Sequence, residues 1–409
     1  MDTVQSTEGL TPVDGGVTAP AGFMAAGVAA GLKRSGRPDV ALVATVAPVP
    51  AAAVFTTNRV AAAPVVVSRA HAALGRIRAV VINAGNANAC TGPEGLAAAH
   101  AMAKETAIAV GCTADEVIVA STGVIGVRLP LELVLPAIGR AAAALDGAAG
   151  SDAAEAILTT DTFAKEFSVE FEVDGRTCRV GGMAKGSGMI HPNMATMLAV
   201  VTTDAPLTAS ACDVALRSAV DRTFNRITVD SDTSTNDMCL LMASGAAGGA
   251  AIGTTDDAYR PVARAIHHVC EMLARMIVHD GEGATKFVAV TVRGAADDRD
   301  AELAAFSIAD SPLCKTAIFG GDANWGRVAM AIGKSGAQVD PDAFDIVFAG
   351  IPTCAAGVAL PFDEEAAAAA LALSEVDIEV DLHLGQGEAT VWTCDLSYEY
   401  VRINGDYRS

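Results

Sequence analysis

Short runs rich in Val and Ile alternate along this chain with longer stretches whose apolar residues recur every three or four positions. The short runs predict strands at 40–46, 79–83, 116–120, 167–172, 198–202, 226–229, 286–292, 345–348, 376–382 and 389–396, each ended by charge or turn residues. From Asp377 to Leu382 polar and apolar residues alternate, the pattern of a strand with one wet face. The longer stretches predict helices at 93–110, after a Thr-Gly turn, and at 207–224, with Thr208 as N-cap. A third is predicted at 262–279, where Val262, Ile266, Val269, Leu273 and Met276 fall on one face and Gly281 follows as a stop. A fourth, 363–374, is Ala-rich with acidic residues in its first turn, which complement the helix dipole. Residues 146–152 and 245–256 read as loops, and no repeat at solenoid or propeller period is present. The expectation is a mixed α/β chain with many strands.

Composition adds a few limits. A length of 409 residues fits two or three domains or one two-lobed body. Half the chain is apolar (51%) but only 4% is aromatic, so the core must be built from Ala, Val, Leu, Ile and Met. The formal charge of −20 repels phosphate backbones, so no nucleic-acid partner is expected, and the acidity reads as solubility. Nine cysteines lie at least 22 positions apart with no Cys-x-x-Cys, which excludes a zinc ribbon and suggests reduced, mostly buried thiols in a cytoplasmic protein. Residues 1–18 contain no Lys or Arg and no apolar run, and no stretch offers the roughly 20 strongly apolar residues of a membrane span. Neither a secretory signal nor a membrane partner is expected.

Several motifs fail on inspection. Gly333-Lys334-Ser335 resembles the end of a phosphate-binding loop, but the earlier glycine would fall on Val328. Gly281-Glu282-Gly283 begins a dinucleotide fingerprint, yet the third glycine position is Lys286 and a strand follows. No Gly-x-Ser-x-Gly elbow and no His-Glu-x-x-His is present. His267 and His268 have no second ligand at metal spacing, so a surface or satisfied histidine is the better reading. Cys90 lies in a Gly- and Asn-rich turn without a neighbouring base and reads as a buried thiol rather than a nucleophile.

One segment stands apart: Met183-Ala-Lys-Gly-Ser-Gly-Met-Ile-His-Pro-Asn-Met-Ala-Thr-Met-Leu198. Gly186, Ser187, Gly188 and Pro192 fix an irregular loop that leads straight into an apolar strand, with the hydroxyl of Thr196 at its start. A chain that cuts itself needs this arrangement. The Thr196 hydroxyl must reach the carbonyl of Ala195 while the loop holds that peptide strained. An N→O acyl shift then gives an ester that water hydrolyses. The new terminus carries an α-amine with a pKa near 8, able to act as general base beside the hydroxyl. A Gly-rich loop before a strand-initial Thr also occurs as plain structure, and the pattern alone leaves both readings open.

This segment resembles the cleavage motif of the ornithine acetyltransferase family of arginine biosynthesis, whose members are N-terminal-nucleophile enzymes. Residues 185–198 match the family pattern Lys-Gly-x-Gly-Met-Ile-x-Pro-Asn-Met-Ala-Thr-Met-Leu at each fixed position. The likeness runs along the whole chain. It includes Gly22-Phe23, Val54-Phe-Thr-Thr-Asn-Arg59, Asn83-Ala-Gly-Asn-Ala-Asn-Ala-Cys-Thr-Gly92, Ala120-Ser-Thr-Gly-Val-Ile-Gly126 and Thr159-Thr-Asp-Thr162. It continues through Asp230-Ser-Asp-Thr-Ser-Thr-Asn-Asp237, Asp280-Gly-Glu-Gly-Ala-Thr-Lys286, Gly321-Asp-Ala-Asn-Trp-Gly-Arg327 and the terminal Tyr400 to Ser409.

The resemblance implies a layered α/β fold, with a sheet core carrying helices on both faces and a smaller C-terminal α/β lobe from about residue 290. It implies cleavage between Ala195 and Thr196 into an α chain 1–195 and a β chain 196–409, assembled as an α2β2 heterotetramer. Thr196 matches the nucleophile, with its α-amine as base, and Thr122 and Gly123 match the oxyanion pair. Thr162, Lys185, Thr196, Glu282, Asn404 and Ser409 match substrate-binding positions; Ser409 stands where the family commonly has Thr and keeps the hydroxyl. Lys185 and the hydroxyls suit a substrate carboxylate, and Glu282 suits the amine of a diamino acid. The implied reaction carries acetyl from N-acetylornithine to glutamate through an acetyl-enzyme, with no metal or prosthetic group. Acetyl-CoA is a second donor in some members; no residue decides between the two types, and the bifunctional one is expected here, with the monofunctional transferase as the alternative. A paralogue from a secondary-metabolite cluster and an N-terminal-nucleophile amidase or aminopeptidase remain alternatives.

Overall fold

In the computed structural model, which describes residues 7–191 and 197–406, the chain divides into two units. The first takes the residues up to Asn225 together with 232–277, and the second takes 226–231 and those from Val278 onward.

The first unit holds nine strands: β1 (Thr11–Pro12), β2 (Phe23–Val28), β3 (Val40–Phe55), β4 (Arg76–Asn86), β5 (Val117–Val124), β6 (Lys165–Val173), β7 (Arg176–Lys185), β8 (Leu198–Thr203) and β9 (Met238–Ala243). They form one hydrogen-bonded path, β1-β6-β7-β8-β9-β3-β4-β5, with β2 also on β3. The β4–β5 and β8–β9 pairs are parallel and the others antiparallel. Helices α1 (Ala63–Ala72), α2 (Gly92–Val110), α3 (Leu131–Ala143), α4 (Gly150–Ala156), α5 (Ala209–Arg222) and α6 (Tyr259–His279) connect them, the last running on into the second unit.

The path folds over on itself at β3. Residues 40–44 of this 16-residue strand pair with both β2 and β4, while Ala51–Phe55 pair with β9. Between them the register on β4 shifts and Val46 is 78% exposed, so the strand bends where it leaves one half of the sheet for the other. The two halves enclose a shared core, with Ala41, Val43 and Ile82 from one side and Met183, Val200 and Leu240 from the other. Because both faces of β3 are buried, its apolar residues run on without alternation. Val40, Leu42 and Ala44 point the other way, onto Met102 of α2 and Val134 and Ile138 of α3. On the far side, the stripe Val262, Ile266, Val269, Leu273 and Ile277 of α6 is fully buried. A Cβ on Gly182 of β7 would come within 2.8 Å of the Leu273 side chain, so that strand stays bare where the helix lies on it. The layers therefore run helix, sheet, sheet, helix.

The second unit has a six-stranded sheet of β10 (Phe287–Ala295), β11 (Asp345–Phe348), β12 (Ile351–Ala355), β13 (Val358–Ala359), β14 (Glu375–Asp381) and β15 (Gly387–Cys394), ordered β13-β12-β11-β14-β10-β15. One face packs on α7 (Asp298–Ala309), α9 (Trp325–Gly333) and α10 (Glu364–Leu371). The other is polar: the Thr291 and Thr390 hydroxyls bond across it at 2.9 Å, and Arg293 pairs with Glu379. Helices α8 (Pro312–Phe319) and α11 (Tyr398–Asp406) complete the unit.

The layered α/β expectation is borne out, and Thr208 caps α5 as expected, accepting from the Ala211 N–H at 3.2 Å. Residues 226–229 are a correction: they form no strand, and Ile227 makes a single bridge to Trp392. The expected loop at 146–152 gives way to α4 from Gly150. Strands β2, β7 and β9 and several short helices lay outside the Val- and Ile-rich runs. Truncating Leu42, fully buried between sheet and helices, is expected to cost about 2–5 kcal/mol. Chemical unfolding of Leu42→Ala against the parent checks this, and a loss under 1 kcal/mol would contradict the layer assignment.

Candidate active site

The fold at β3 brings the end of β5 against the end of β7. The Lys185 ammonium, at the last position of β7, donates to Thr122 Oγ1 at 3.4 Å. Antiparallel pairing also sets Lys185 opposite Leu198, the first residue of β8. A cation and a hydroxyl from opposite halves of the sheet thus meet beside the strand that follows the Gly-rich loop.

The backbone at Thr122 and Gly123 is shaped by a bulge. Asn86 of β4 pairs with both Thr122 and Val124, so the ladder slips by one residue at the end of β5. Gly123 takes up the distortion at φ +127°, and a Cβ there would lie 2.4 Å from the Gly85 carbonyl carbon. Three buried asparagines hold the turn. Asn83 accepts from the Ser121 hydroxyl at 2.6 Å and donates to the Asn86 carbonyl at 2.8 Å. Asn86 donates to the carbonyls of Val127 and Arg128. Asn236, just before β9, donates to the carbonyls of Ala87 and Ser121 at 2.7 and 2.8 Å. Those residues lie in stretches the sequence marked as similar to the family but left without a role; a Gly–Asn run beside a strand end is the signal they offered.

Asp161 is the second centre of the cluster. Its buried carboxylate accepts from Lys165 Nζ at 2.7 Å, the Gly186 N–H at 2.7 Å and the Thr159 N–H at 2.9 Å, with Lys185 Nζ 3.8 Å away. Burial pushes this carboxyl up, but Lys185, Lys165 and the hydrogen bonds outweigh it and hold it well below the usual range. The adjacent Thr160 and Ser187 hydroxyls lie 2.7 Å apart, so the turn before β6 is tied to the loop that follows β7. Thr162, next in chain, is exposed.

Asp237 is a buried carboxyl that sequence reasoning did not single out. It is 2% exposed, Oδ2 has no partner among the described residues, and the Met197 backbone N–H and Ser234 side chain hydrogen-bond to the group. Burial pushes it well above the carboxylate range, opposed by Lys185. Met197 follows residue 196 directly, and its carbonyl accepts from the Met238 N–H at 3.1 Å.

In the second unit, Glu282 and Asn404 are brought together. Asn404 Nδ2 donates to Glu282 Oε2 at 2.8 Å and to the Tyr400 carbonyl at 3.1 Å. Gly283 has φ +71°, and a Cβ there would lie 2.5 Å from the Tyr400 nitrogen, so the turn after Glu282 seats closely on the start of α11. Ala195, Thr196 and Ser409 lie outside the described residues.

Two thiol and histidine readings resolve here. Cys90 is exposed rather than buried, because it sits at φ +56° in the turn before α2; seven of the nine cysteines are buried, as expected. His267 is mostly buried on α6, 3.9 Å from Glu271, and burial lowers its pKa to about 4. A separate cavity of about 600 Å³ between β3, α1 and α5, lined by Phe55, Arg69 and Arg217 among others, contains none of the assigned residues.

The charged network yields an acid-stability prediction. Asp161 has a folded pKa below its unfolded value, so its contribution is complete above about pH 4 and fades as pH falls through the lower folded value. Asp161→Asn removes the partner of a buried lysine and is expected to cost about 3–5 kcal/mol at pH 7. The gap from the parent should narrow below about pH 4. Urea unfolding from pH 2 to 7 measures both, and a gap constant with pH would contradict the ionised state.

Residues 24–409 match the ArgJ family. The chain is similar to the arginine biosynthesis bifunctional protein ArgJ of Symbiobacterium thermophilum, 54% identical over 397 residues, covering 97% of this chain and 99% of that protein. It is 48% identical over 401 residues to the protein of the same name from Caldanaerobacter subterraneus subsp. tengcongensis, covering 97% and 99%. The crystal structure of the arginine biosynthesis bifunctional protein from Bacillus halodurans aligns with a TM-score of 0.50 at 46% identity, covering 51% of this chain and 98% of that one.

Proposed function

The chain belongs to the ArgJ family, and from that premise we propose a self-cleaving acetyltransferase whose acyl-transfer site is built around the Lys185–Thr122 contact. It is an enzyme of arginine biosynthesis that moves acetyl from N-acetylornithine to glutamate. That contact, 3.4 Å between the two halves of the sheet, is the observation that carries the site assignment. It puts a cation able to hold a substrate carboxylate beside a hydroxyl able to donate to an oxyanion. Lys185 donates to the oxygen of Thr122, which leaves the Thr122 proton to be given away.

The chain first cuts itself between Ala195 and Thr196, giving 1–195 and 196–409. The crystal chain of the Bacillus halodurans relative matches 51% of this chain over 98% of its own length, the proportion of one piece from a cut near the middle. The Thr196 hydroxyl then attacks the acetyl carbonyl of N-acetylornithine, and its proton passes to the Thr196 α-amine. The Thr122 hydroxyl and Gly123 N–H donate to the oxyanion, each worth about 3–4 kcal/mol. The proton moves to the leaving nitrogen, ornithine departs, and an acetyl ester remains on Thr196. The amine of glutamate attacks that ester and leaves as N-acetylglutamate. Thr162, Lys185 and Ser409 are assigned to the substrate carboxylate, and Glu282 with Asn404 to the side-chain amine of ornithine. The word bifunctional in the names of the relatives supports acetyl-CoA as a second donor. No metal or prosthetic group is invoked, and an α2β2 assembly in the cytoplasm is part of the proposal.

Denaturing electrophoresis with N-terminal sequencing tests the first step. The parent should give two bands, the shorter-lived 41.3 kDa precursor disappearing, with one new terminus at Thr196. Thr196→Ala should remain uncut; an uncut parent that still transfers acetyl would sink the mechanism. Release of free acetate at the same rate with and without glutamate would instead identify a hydrolase. For the oxyanion pair, Thr122→Ala is expected to lower kcat by about 10²–10³-fold. A loss under tenfold would remove Thr122 from that role.

A further inference from the structure

Three charged side chains meet beside Thr122, and only one of them has a part in the chemistry so far. Lys165 is fully buried at the first position of β6. Its ammonium is 2.7 Å from Asp161 Oδ1 and lies 4.9 Å from the centre of the Phe163 ring. Lys185 Nζ stands further off, 3.8 Å from Asp161 Oδ2, and its closer bond runs to Thr122. A buried lysine is costly in any fold and needs a reason to be kept.

We propose that Lys165 is a positioning residue for substrate recognition, holding the Asp161 carboxylate so that the Lys185 ammonium stays available to the carboxylate of the substrate. The inference rests on the reading of Lys185 as the carboxylate partner. Both lysines act on the one Asp161 carboxylate, Lys165 at 2.7 Å and Lys185 at 3.8 Å. Burial pushes Asp237, the other carboxyl that acts on Lys185, well above the carboxylate range. Lys165 is therefore the contact partner of the carboxylate, and the Lys185 ammonium is left to turn toward Thr122. Without Lys165, Asp161 and Lys185 would be a single buried pair with no net charge. Their mutual attraction would draw Nζ onto Asp161 and away from Thr122, since an unpaired buried carboxylate is strongly disfavoured. Asp161 itself cannot be dispensed with as an acceptor, because the same oxygen that binds Lys165 also accepts from the Gly186 N–H and fixes the chain just past Lys185.

The test compares N-acetylornithine with its α-carboxamide, which lacks the charge, as acetyl donors to the mature enzyme. Lys165→Met should raise KM for N-acetylornithine about tenfold or more and leave KM for the carboxamide within about twofold. The double variant Asp161→Asn with Lys165→Met removes both charges, keeps an acceptor for Gly186, and leaves Lys185 with its own charge; it should return KM to within about threefold of the parent. Equal losses on both donors, or no recovery in the double variant, would show that Lys165 acts through packing and overturn the inference. If Lys165→Met does not fold, the double variant, which leaves no unpaired charge at 161 or 165, poses the same question alone. A rise of its KM for N-acetylornithine beyond about threefold would refute the idea. Lys185→Met separates the two layers of the argument: an unchanged preference for N-acetylornithine over the carboxamide would remove Lys185 from carboxylate binding.

Discussion

Strand β3 belongs to both halves of the sheet in the first unit, and the contact between Lys185 and Thr122 depends on that one piece of backbone. Through residues 40–44 it is bonded to β2 and β4, and through Ala51–Phe55 to β9. A straight, flat sheet would leave β5 and β7 five strands apart in the order, at roughly 4.8 Å per step. With the bend, the Thr122 hydroxyl and the Lys185 ammonium are 3.4 Å apart. The bend is held by burial on both sides. Inner residues such as Val43 pack on the opposing half, and outer residues such as Leu42 pack on α2 and α3. At about 25 cal/mol per Å² of apolar surface removed from water, a two-sided strand of this kind gains far more than the few exposed residues around Val46 lose.

Placing charge at the meeting point has a cost, and the structure meets it by pairing rather than by exposure. Asp161 is satisfied by Lys165 and by two backbone N–H groups as well. The turn at Thr122 and Gly123 is held by neutral partners instead, since the bonds of Asn83, Asn86 and Asn236 bring no competing charge. Fixed dipoles and the Lys185 ammonium therefore stand together at the Thr122 turn. That is the arrangement in which little reorganisation is needed as charge develops.

What could be read from the sequence, and what could not, follows from the same physics. Val- and Ile-rich runs marked β3, β5 and β8 because strands buried on both faces leave an uninterrupted apolar record. Strand β9, Met-Cys-Leu-Leu-Met-Ala, is equally buried but uses residues without a β-branch, so its pattern is that of any buried segment. Strand β7 is harder still: Gly181 and Gly182 are there because Gly16 and α6 come too close for a side chain, a requirement set by distant residues. The 226–229 run had the right composition but gained no ladder. Within the site, Thr122, Gly123 and Lys185 could be named from a motif, whereas Lys165 could not. A lysine at a strand start reads as a solvated end until the fold encloses it.

The same sheet explains how a chain cut in its middle would stay whole. Strands β8 and β9 lie after the scissile position and β7 and β3 before it. In the sheet order the later pair is inserted between the earlier ones, with β7–β8 on one side and β9–β3 on the other. Separating the two products would break both ladders at once and strip α6 from β7, exposing the fully buried Val269 and Leu273. Two ladders and the buried face of α6 cross between the pieces, so a cut there would remove one covalent bond and no layer of packing. Leu198, the first residue of β8, is thereby held opposite Lys185 by strands that cannot drift apart. In the reaction proposed above, a nucleophile that serves as its own base needs a fixed position as much as it needs the hydroxyl.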